Sequence, residues 1–386
     1  MRSQLKYMVV SFAVACSSML FAGNWTLSGG VLTSSDGQWS FSGASRNAKT
    51  LTVGACTSSA ADGILDFRDT VVDGNAITTI TIARNTTWGA ANIKEFYCDT
   101  LTQVIASLFS GNTTLEKIQT SHLNNTGILG NAFKGCTSLV TASFGAKITS
   151  SAVEGFSGCR NLDVDAAEFI APTFSASGNS AFSSCAKLHG KLTLTTFDSL
   201  RLGTFSGTGI EELVLESPNF TTFPNKVFNG CRSLTNVTIS CVNLTTLGST
   251  SNPFENCTAL EKVTFNLPAV TTVATQTSAH YFSGCSAIKE VVFKNVPWNS
   301  TLTRRWLNQH VLCSVSAVAA TVDAPKNCTI YALRSDYKPY ASAMTGDYEK
   351  LYAPKRCYGV YCNGSSRLAY MAQPPDYKSG FTVSFQ

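Results

Sequence analysis

The residues in this chain best suited to chemistry are fourteen cysteines, four histidines and a thin scatter of carboxylates, and only the cysteines are patterned. Six of them, Cys136, Cys159, Cys185, Cys231, Cys257 and Cys285, belong to one recurring phrase, Phe-x-Gly-Cys-x-x-Leu or a near copy of it. Phe133-Lys-Gly-Cys136-Thr-Ser-Leu139 and Phe228-Asn-Gly-Cys231-Arg-Ser-Leu234 give it in full. Phe182-Ser-Ser-Cys185 and Phe254-Glu-Asn-Cys257 replace the glycine, and Phe109-Ser-Gly-Asn112 and Phe205-Ser-Gly-Thr208 replace the cysteine. Adjacent repeats would line thiols up for a metal or a disulfide. Zinc sites, however, favour tight pairs such as Cys-x2-Cys, and none occurs in this sequence. Equivalent residues of stacked repeats sit about 4.8 Å apart, whereas bridged cysteines need Cβ atoms about 3.8 Å apart. With Asn112 and Thr208 in the same slot, the pattern points to buried free thiols acting as small packing groups.

The remaining candidates lack a pattern. His122, His189, His280 and His310 occupy unrelated repeat positions and read as exposed loop or cap residues. Glu211-Glu212 lies beside an expected strand, but a glycosidase-like carboxylate pair would have to assemble across distant segments. No nucleophile elbow, phosphate-binding glycine loop or calcium-loop pattern occurs. No catalytic, cofactor-binding or metal-binding residue is therefore assigned. Cys357-x4-Cys362 would point to opposite faces of one regular strand, so a local bridge there needs an intervening turn. The pairing of Cys313, Cys328, Cys357 and Cys362 stays open.

What positions these residues is a tandem unit. The anchoring phenylalanines, Phe109 to Phe282, are 24, 23, 26, 23, 23, 26 and 28 residues apart. After each turn comes apolar-x-x-apolar-x-apolar, as in Leu234-x-x-Val237-x-Ile239 and Leu260-x-x-Val263-x-Phe265. The final alternation is the period of a short strand with one face buried. So short a strand cannot bury its apolar face alone, and stacking copies supplies the next layer of one continuous core.

The phrase and its period resemble the BspA-like (Treponema-type) leucine-rich repeats of surface proteins, in which Ala-Phe-x-Gly-Cys precedes each strand. Ile128-Leu-Gly130-Asn-Ala132-Phe133-Lys-Gly-Cys136 carries the likeness best. The resemblance implies a leucine-rich-repeat solenoid, mainly parallel β on a concave face with short helical turns on the convex face, capped at both ends. It also implies surface display and attachment to host or neighbouring-cell macromolecules.

The expected organisation has four parts. Residues 1–22 read as a signal peptide, with Arg2 and Lys6 before an apolar stretch too short to span a bilayer. Cys16, in Ala13-Val14-Ala15-Cys16, offers a lipid anchor as an alternative. Residues 23–100 form an amino-terminal cap and irregular first repeats, in which Trp25 and Trp39 close the core. Residues 101–296 carry the repeats. Residues 297–386 hold nine of the twelve tyrosines and read as a carboxy-terminal cap or small module, with a capping helix at Leu302–Leu312 and a last strand at Cys328-Thr-Ile330-Tyr.

Charged residues make up 14% of the chain and hydrophobic ones 44%, so burial is ample. The net charge of +5, with no compact Lys/Arg run, argues against a nucleic-acid partner, and no transmembrane span is expected in the mature chain. Outward residues between the last two apolar positions of each strand should form a ladder: Thr81, Tyr97, Gln119, Ser143, Thr193, Val214, Thr238, Thr264 and Val292. Such ladders line the binding face of curved solenoids. The expected function is non-catalytic binding or adhesion to a protein or glycan macromolecule, without a cofactor. The alternatives are a secreted enzyme or glycan-recognition subunit with its site in 297–386, or a structural coat protein.

Overall fold

The computed structural model describes residues 23–121, 123, 127–247, 252–273, 281–282 and 284–287, and the strands Glu290–Lys294, Thr329–Tyr331 and Val360–Tyr361. The leader, Cys16, His122, His280, His310, the capping helix, Cys313, Cys328, Cys357 and Cys362 lie outside these residues. Beyond an antiparallel amino-terminal region, the described chain is a solenoid of parallel strands.

Each repeat is nucleated by its turn. The cysteine amide donates to the carbonyl of the phenylalanine three residues earlier, at 3.1 Å for Cys136 and Cys159 and 3.2 Å for Cys185. Closing the turn requires a left-handed residue two places after the phenylalanine. Gly135, Gly158 and Gly230 supply it with φ of 73°, 80° and 70°, and Ser184 and Asn256 adopt it at 63° and 62°. Another left-handed residue recurs two places before the phenylalanine, at Ser107, Asn131, Glu154, Ser180, Gly203 and Lys226. The expected helical turns are thus single hydrogen-bonded turns. Among the described residues the one helix is Ala166–Phe169, on the strand side.

Stacking these turns builds two columns. The rings of Phe109, Phe133, Phe156, Phe182, Phe205, Phe228, Phe254 and Phe282 lie nearly parallel, with neighbouring centroids 4.9–5.8 Å apart. Beside them each thiol donates across the repeat boundary to the preceding phenylalanine carbonyl: Cys136 to Phe109 at 3.1 Å, Cys159 to Phe133 at 3.0 Å and Cys285 to Phe254 at 2.9 Å. Each such carbonyl therefore receives two donors, one from its own turn and one from the next. All six phrase cysteines are buried and unbridged. Burial pushes the thiol of Cys185 up, and that of Cys257 too, with contacts to Cys231 and Cys285 adding to the effect. Asn112 does the thiol's work with its amide, donating to the Trp88 and Ala91 carbonyls at 3.0 and 3.1 Å. Thr208 instead turns back to its own Phe205 carbonyl at 2.9 Å.

The same bonding pattern reveals a copy that the phrase hides. The Trp88 amide donates to the Leu108 carbonyl as Phe109 does to Ala132, and the Ala91 amide returns to Trp88 as Cys136 does to Phe133. Trp88 therefore fills the phenylalanine slot and Ala91 the cysteine slot.

On the opposite side the strands form two parallel sheets. One joins Ile64–Asp66, Glu95–Tyr97, Lys117–Gln119 and Thr141–Ser143. The other joins Lys191–Leu194, Glu212–Leu215, Asn236–Ile239, Lys262–Asn266, Glu290–Lys294, Thr329–Tyr331 and Val360–Tyr361. The last two strands carry the parallel sheet past residue 297. Between the sheets a two-residue strand, Val164–Asp165, pairs with Leu188–His189 and gives way to the helix, with the Asp165 carboxylate accepting the Ala167 amide at 2.8 Å as its cap. A second, shorter strand face includes Gly127–Ile128, Ile148–Ser151 and Ile170–Ala176. At the amino end, antiparallel strands Asn24–Ser28, Val31–Ser34, Ser40–Ser42 and Ala55–Ser58 bury Trp25 and Trp39 at 3% and 5% exposure. Trp25 stacks on Phe67 at 4.9 Å, and Phe41 meets Trp88 at 5.4 Å, which joins this aromatic cluster to the phenylalanine column.

Candidate functional site

Along the outward strand face the described fold repeats a side chain at fixed spacing. Inward residues such as Phe96, Ile118, Val237 and Val263 are buried, which turns their neighbours out. Tyr97, Gln119 and Ser143 stand in register on adjacent strands. Thr193, Val214, Thr238, Thr264 and the backbone of Val292 do so on the second sheet.

Three features of this face differ from the sequence expectation. Thr81 is not part of the ladder. Its strand, Thr79–Ile82, pairs with Thr50–Val53 in a separate sheet, where the Thr81 and Thr52 hydroxyls meet at 3.0 Å. The rung preceding Tyr97 is Asp66. Alternation identifies a half-buried strand but not which side of the coil it occupies. Spacing would have separated the two, since Ile80 lies well under one repeat before Phe96. The ladder is also discontinuous, because the helix Ala166–Phe169 separates Ser143 from Thr193. Finally, Tyr97 is covered rather than displayed, at 9% exposure.

Two cations cover it. The Arg68 guanidinium lies 4.3 Å from the Tyr97 ring centroid and the Lys117 ammonium 4.9 Å from it. Arg68 is held by Asp66 through Nε–H to Oδ1 at 3.0 Å and an Nη2 contact to Oδ2 at 2.5 Å. That pairing raises the Arg68 pKa further above its usual value. The Tyr97 hydroxyl donates to the Glu95 carboxylate, and burial followed by that contact pushes the phenol up. On the neighbouring rung Ser121 donates to Asp99. The result is a preorganised polar cluster whose outer surface is Arg68, Lys117 and Gln119, all half-buried. Sequence reasoning missed Asp66 and Arg68 because they precede the phrase; the Leu65-Asp-Phe67 alternation marks their strand.

The second sheet has a different outward face. Thr193, Val214, Thr238 and Thr264 are half-buried hydroxyl and β-branched side chains, flanked by exposed Lys191, Glu212, Asn236 and Lys262. Lys191 and Glu212 approach to 3.7 Å, with half of each side chain exposed. Glu211 and Glu212 lie at an open groove of about 470 Å³ shared with Gly190, Lys191, Ser233 and Thr235. Its acids sit side by side on one strand edge, and Glu212 is engaged by lysine. His189 pairs with Asp163 at 3.3 Å on the surface near the helix.

A family model described as the BspA type leucine rich repeat region matches this chain in six copies, over residues 75–163 and 168–289. The gap falls at the helix that interrupts the strand face. No curated protein matches the chain. It is 18% identical to a leucine rich cell surface protein from Faecalibacterium prausnitzii A2-165, over 67% of this chain and 82% of that one, with a TM-score of 0.44. A leucine-rich repeat protein from Bacteroides ovatus ATCC 8483 is 16% identical over 75% of this chain and 88% of its own, with a TM-score of 0.34. A T. pallidum leucine rich repeat protein is 16% identical over 64% and 87%, with a TM-score of 0.29. Among the described residues no helix is long and apolar enough to cross a membrane. With the family match spanning more than half of its length and the repeat turns built as described, this chain belongs to the BspA type leucine-rich-repeat family.

Proposed function

We propose that this chain is an exported cell-surface binding protein that attaches, without catalysis, to a host or neighbouring-cell macromolecule, a protein or a glycan, through its outward strand face. The observation that carries the reading is the cluster around Tyr97. Two cations lie over one ring, and Arg68 is further held by the half-buried Asp66 carboxylate, so presenting them costs little ordering on binding. Gln119 and Ser143, in register beside them, add hydrogen-bonding groups on adjacent rungs. Recognition then rests on a small polar anchor and many modest contacts along the array.

The test is capture of the full mature chain on immobilised extracellular-matrix proteins and glycans. Lys117→Glu with Gln119→Ala should lower capture about tenfold, which corresponds to about 1.4 kcal/mol, with an unchanged circular dichroism spectrum. If nothing in the panel is captured, or the double variant binds as the wild type does, the reading is wrong.

A further inference from the structure

The six phrase cysteines are enclosed by the stacked turns. Cys136, Cys159, Cys185, Cys231 and Cys257 are 0% exposed and Cys285 is 1% exposed. Each thiol lies at a boundary between two repeats and donates to the phenylalanine carbonyl of the earlier one. The distance is 3.1 Å for Cys185, Cys231 and Cys257 alike. That carbonyl also accepts the amide of its own turn, as Phe156 accepts Cys159 at 3.1 Å and Phe228 accepts Cys231 at 3.3 Å. The single thiol hydrogen therefore ties one repeat to the next. Thr208 interrupts the column, because its hydroxyl stays within its own turn at 2.9 Å from the Phe205 carbonyl and lies 3.3 Å from the Cys231 sulfur. The thiols thus fall into two sets of three, Cys136–Cys159–Cys185 and Cys231–Cys257–Cys285.

Oxidation by a low-molecular-weight disulfide removes that hydrogen and adds a bulky group in its place. The cysteine loses its proton, and its sulfur attacks one sulfur of the disulfide. The old S–S bond breaks as the new one forms, and the other half leaves as a thiolate that takes up a proton. The cysteine is oxidised and the leaving half is reduced. A glutathione adduct finds no space between turns whose phenylalanine rings stack 4.9–5.8 Å apart. A bridge between successive turns fits no better. Their Cβ atoms repeat at about 4.8 Å, against about 3.8 Å in a disulfide, and bridging would strip the donor from two carbonyls at once.

Folded and oxidised are therefore exclusive states of these six residues. We propose that the thiol column is a redox gate on folding: the repeats close only while the phrase thiols are reduced, and the closed repeats then shield those thiols from disulfides in the surroundings. An oxidant acts on the column before the turns stack and finds no access afterwards. The gate lies in the interior and does not depend on what the strand face binds, so it goes beyond the proposed attachment to a macromolecule.

Refolding of the full mature chain from urea tests the gate. One sample is kept in reduced glutathione throughout. A second is treated with oxidised glutathione in urea until its cysteines are blocked, and only then diluted. A third meets oxidised glutathione after refolding is complete. Circular dichroism reads the fold, and peptide mapping reads each phrase cysteine separately from the other seven. The first and third samples should show the native spectrum with six free phrase thiols. Blocking of those thiols in the third should be at least about a hundredfold slower than in the urea-unfolded chain. The second should stay non-native until a reductant is added, and then refold. A variant with Cys56→Ala, Cys98→Ala and Cys241→Ala, and the same change at Cys313, Cys328, Cys357 and Cys362, leaves the phrase thiols as the only targets. Oxidation in urea should still prevent its refolding. A native spectrum in a chain whose phrase cysteines are blocked, in the wild type or the variant, overturns the proposal. So does blocking in the third sample as fast as in urea. If the variant does not fold even when reduced, the three wild-type samples still decide.

Discussion

The two halves of the outward strand face rest on the same interior and differ almost completely on the surface. Beneath Ile64–Ser143 and beneath Lys191–Lys294 run the same buried phenylalanine and thiol columns. Above them, the amino-side face locks Asp66, Arg68, Glu95, Tyr97 and Lys117 into one network. The carboxyl-side face is a plain of half-buried threonine and valine between exposed charges. Stacking dictates the turn and the inward residues of every copy, because each must fit the copy before it. It leaves the outward residues free, so specificity has to reside there. The helix Ala166–Phe169 marks the boundary, since it cuts the strand short after Asp165 while the phenylalanine column passes unbroken through Phe156 and Phe182.

That continuity can be broken on purpose. Phe156 is fully buried at the boundary, stacked on Phe133 at 4.9 Å and on Phe182 at 5.2 Å. Phe156→Ala should cost about 3–5 kcal/mol. Hydrogen exchange read separately at Glu95–Tyr97 and Asn236–Ile239 shows how the cost is shared. If the halves form one cooperative unit, both strands lose protection together. If only one does, the faces are separate folding units, and their surface difference extends into the core.

Less drastic, and confined to one side, is the loss of Arg68. Its partner Asp66 has a side chain only 10% exposed, and Arg68 itself is 27% exposed. Arg68→Ala strips a bidentate contact and a ring contact at once and leaves the carboxylate short of partners. A loss of about 2 kcal/mol in urea denaturation is expected. A change indistinguishable from zero would mean that the amino-side network is surface decoration, no more ordered than its carboxyl-side counterpart.

The interior of this comparison was legible in the sequence and the exterior only in part. Phenylalanine, glycine and cysteine recur because one turn geometry requires a ring to stack, a left-handed residue and a small donor, so the period shows through. Where another residue meets the same need, the pattern hides. Trp88 and Ala91 do so in the phenylalanine and cysteine slots. The left-handed residues from Ser107 to Lys226 are serine, asparagine, glutamate, glycine and lysine, with no one type common to all the copies. Thr81 misled because alternation is local, whereas the sheet it joins is set by how the chain folds round the coil. The Arg68–Tyr97–Lys117 contacts lie between neighbouring rungs, and no spacing within one repeat encodes them.

The mildest test belongs to the carboxyl-side face, and its value lies in being small. Lys191 and Glu212 form the same kind of pair as Arg68 and Asp66, cation to carboxylate on one face of a parallel sheet. Their side chains, however, are 53% and 50% exposed, and they meet at 3.7 Å. Water already solvates both charges, and lysine has no fork to hold a carboxylate at two points. Lys191→Ala should therefore shift stability by no more than about 0.5 kcal/mol. A cost close to that of Arg68→Ala would show that the carboxyl-side charges are locked in place like those on the amino side.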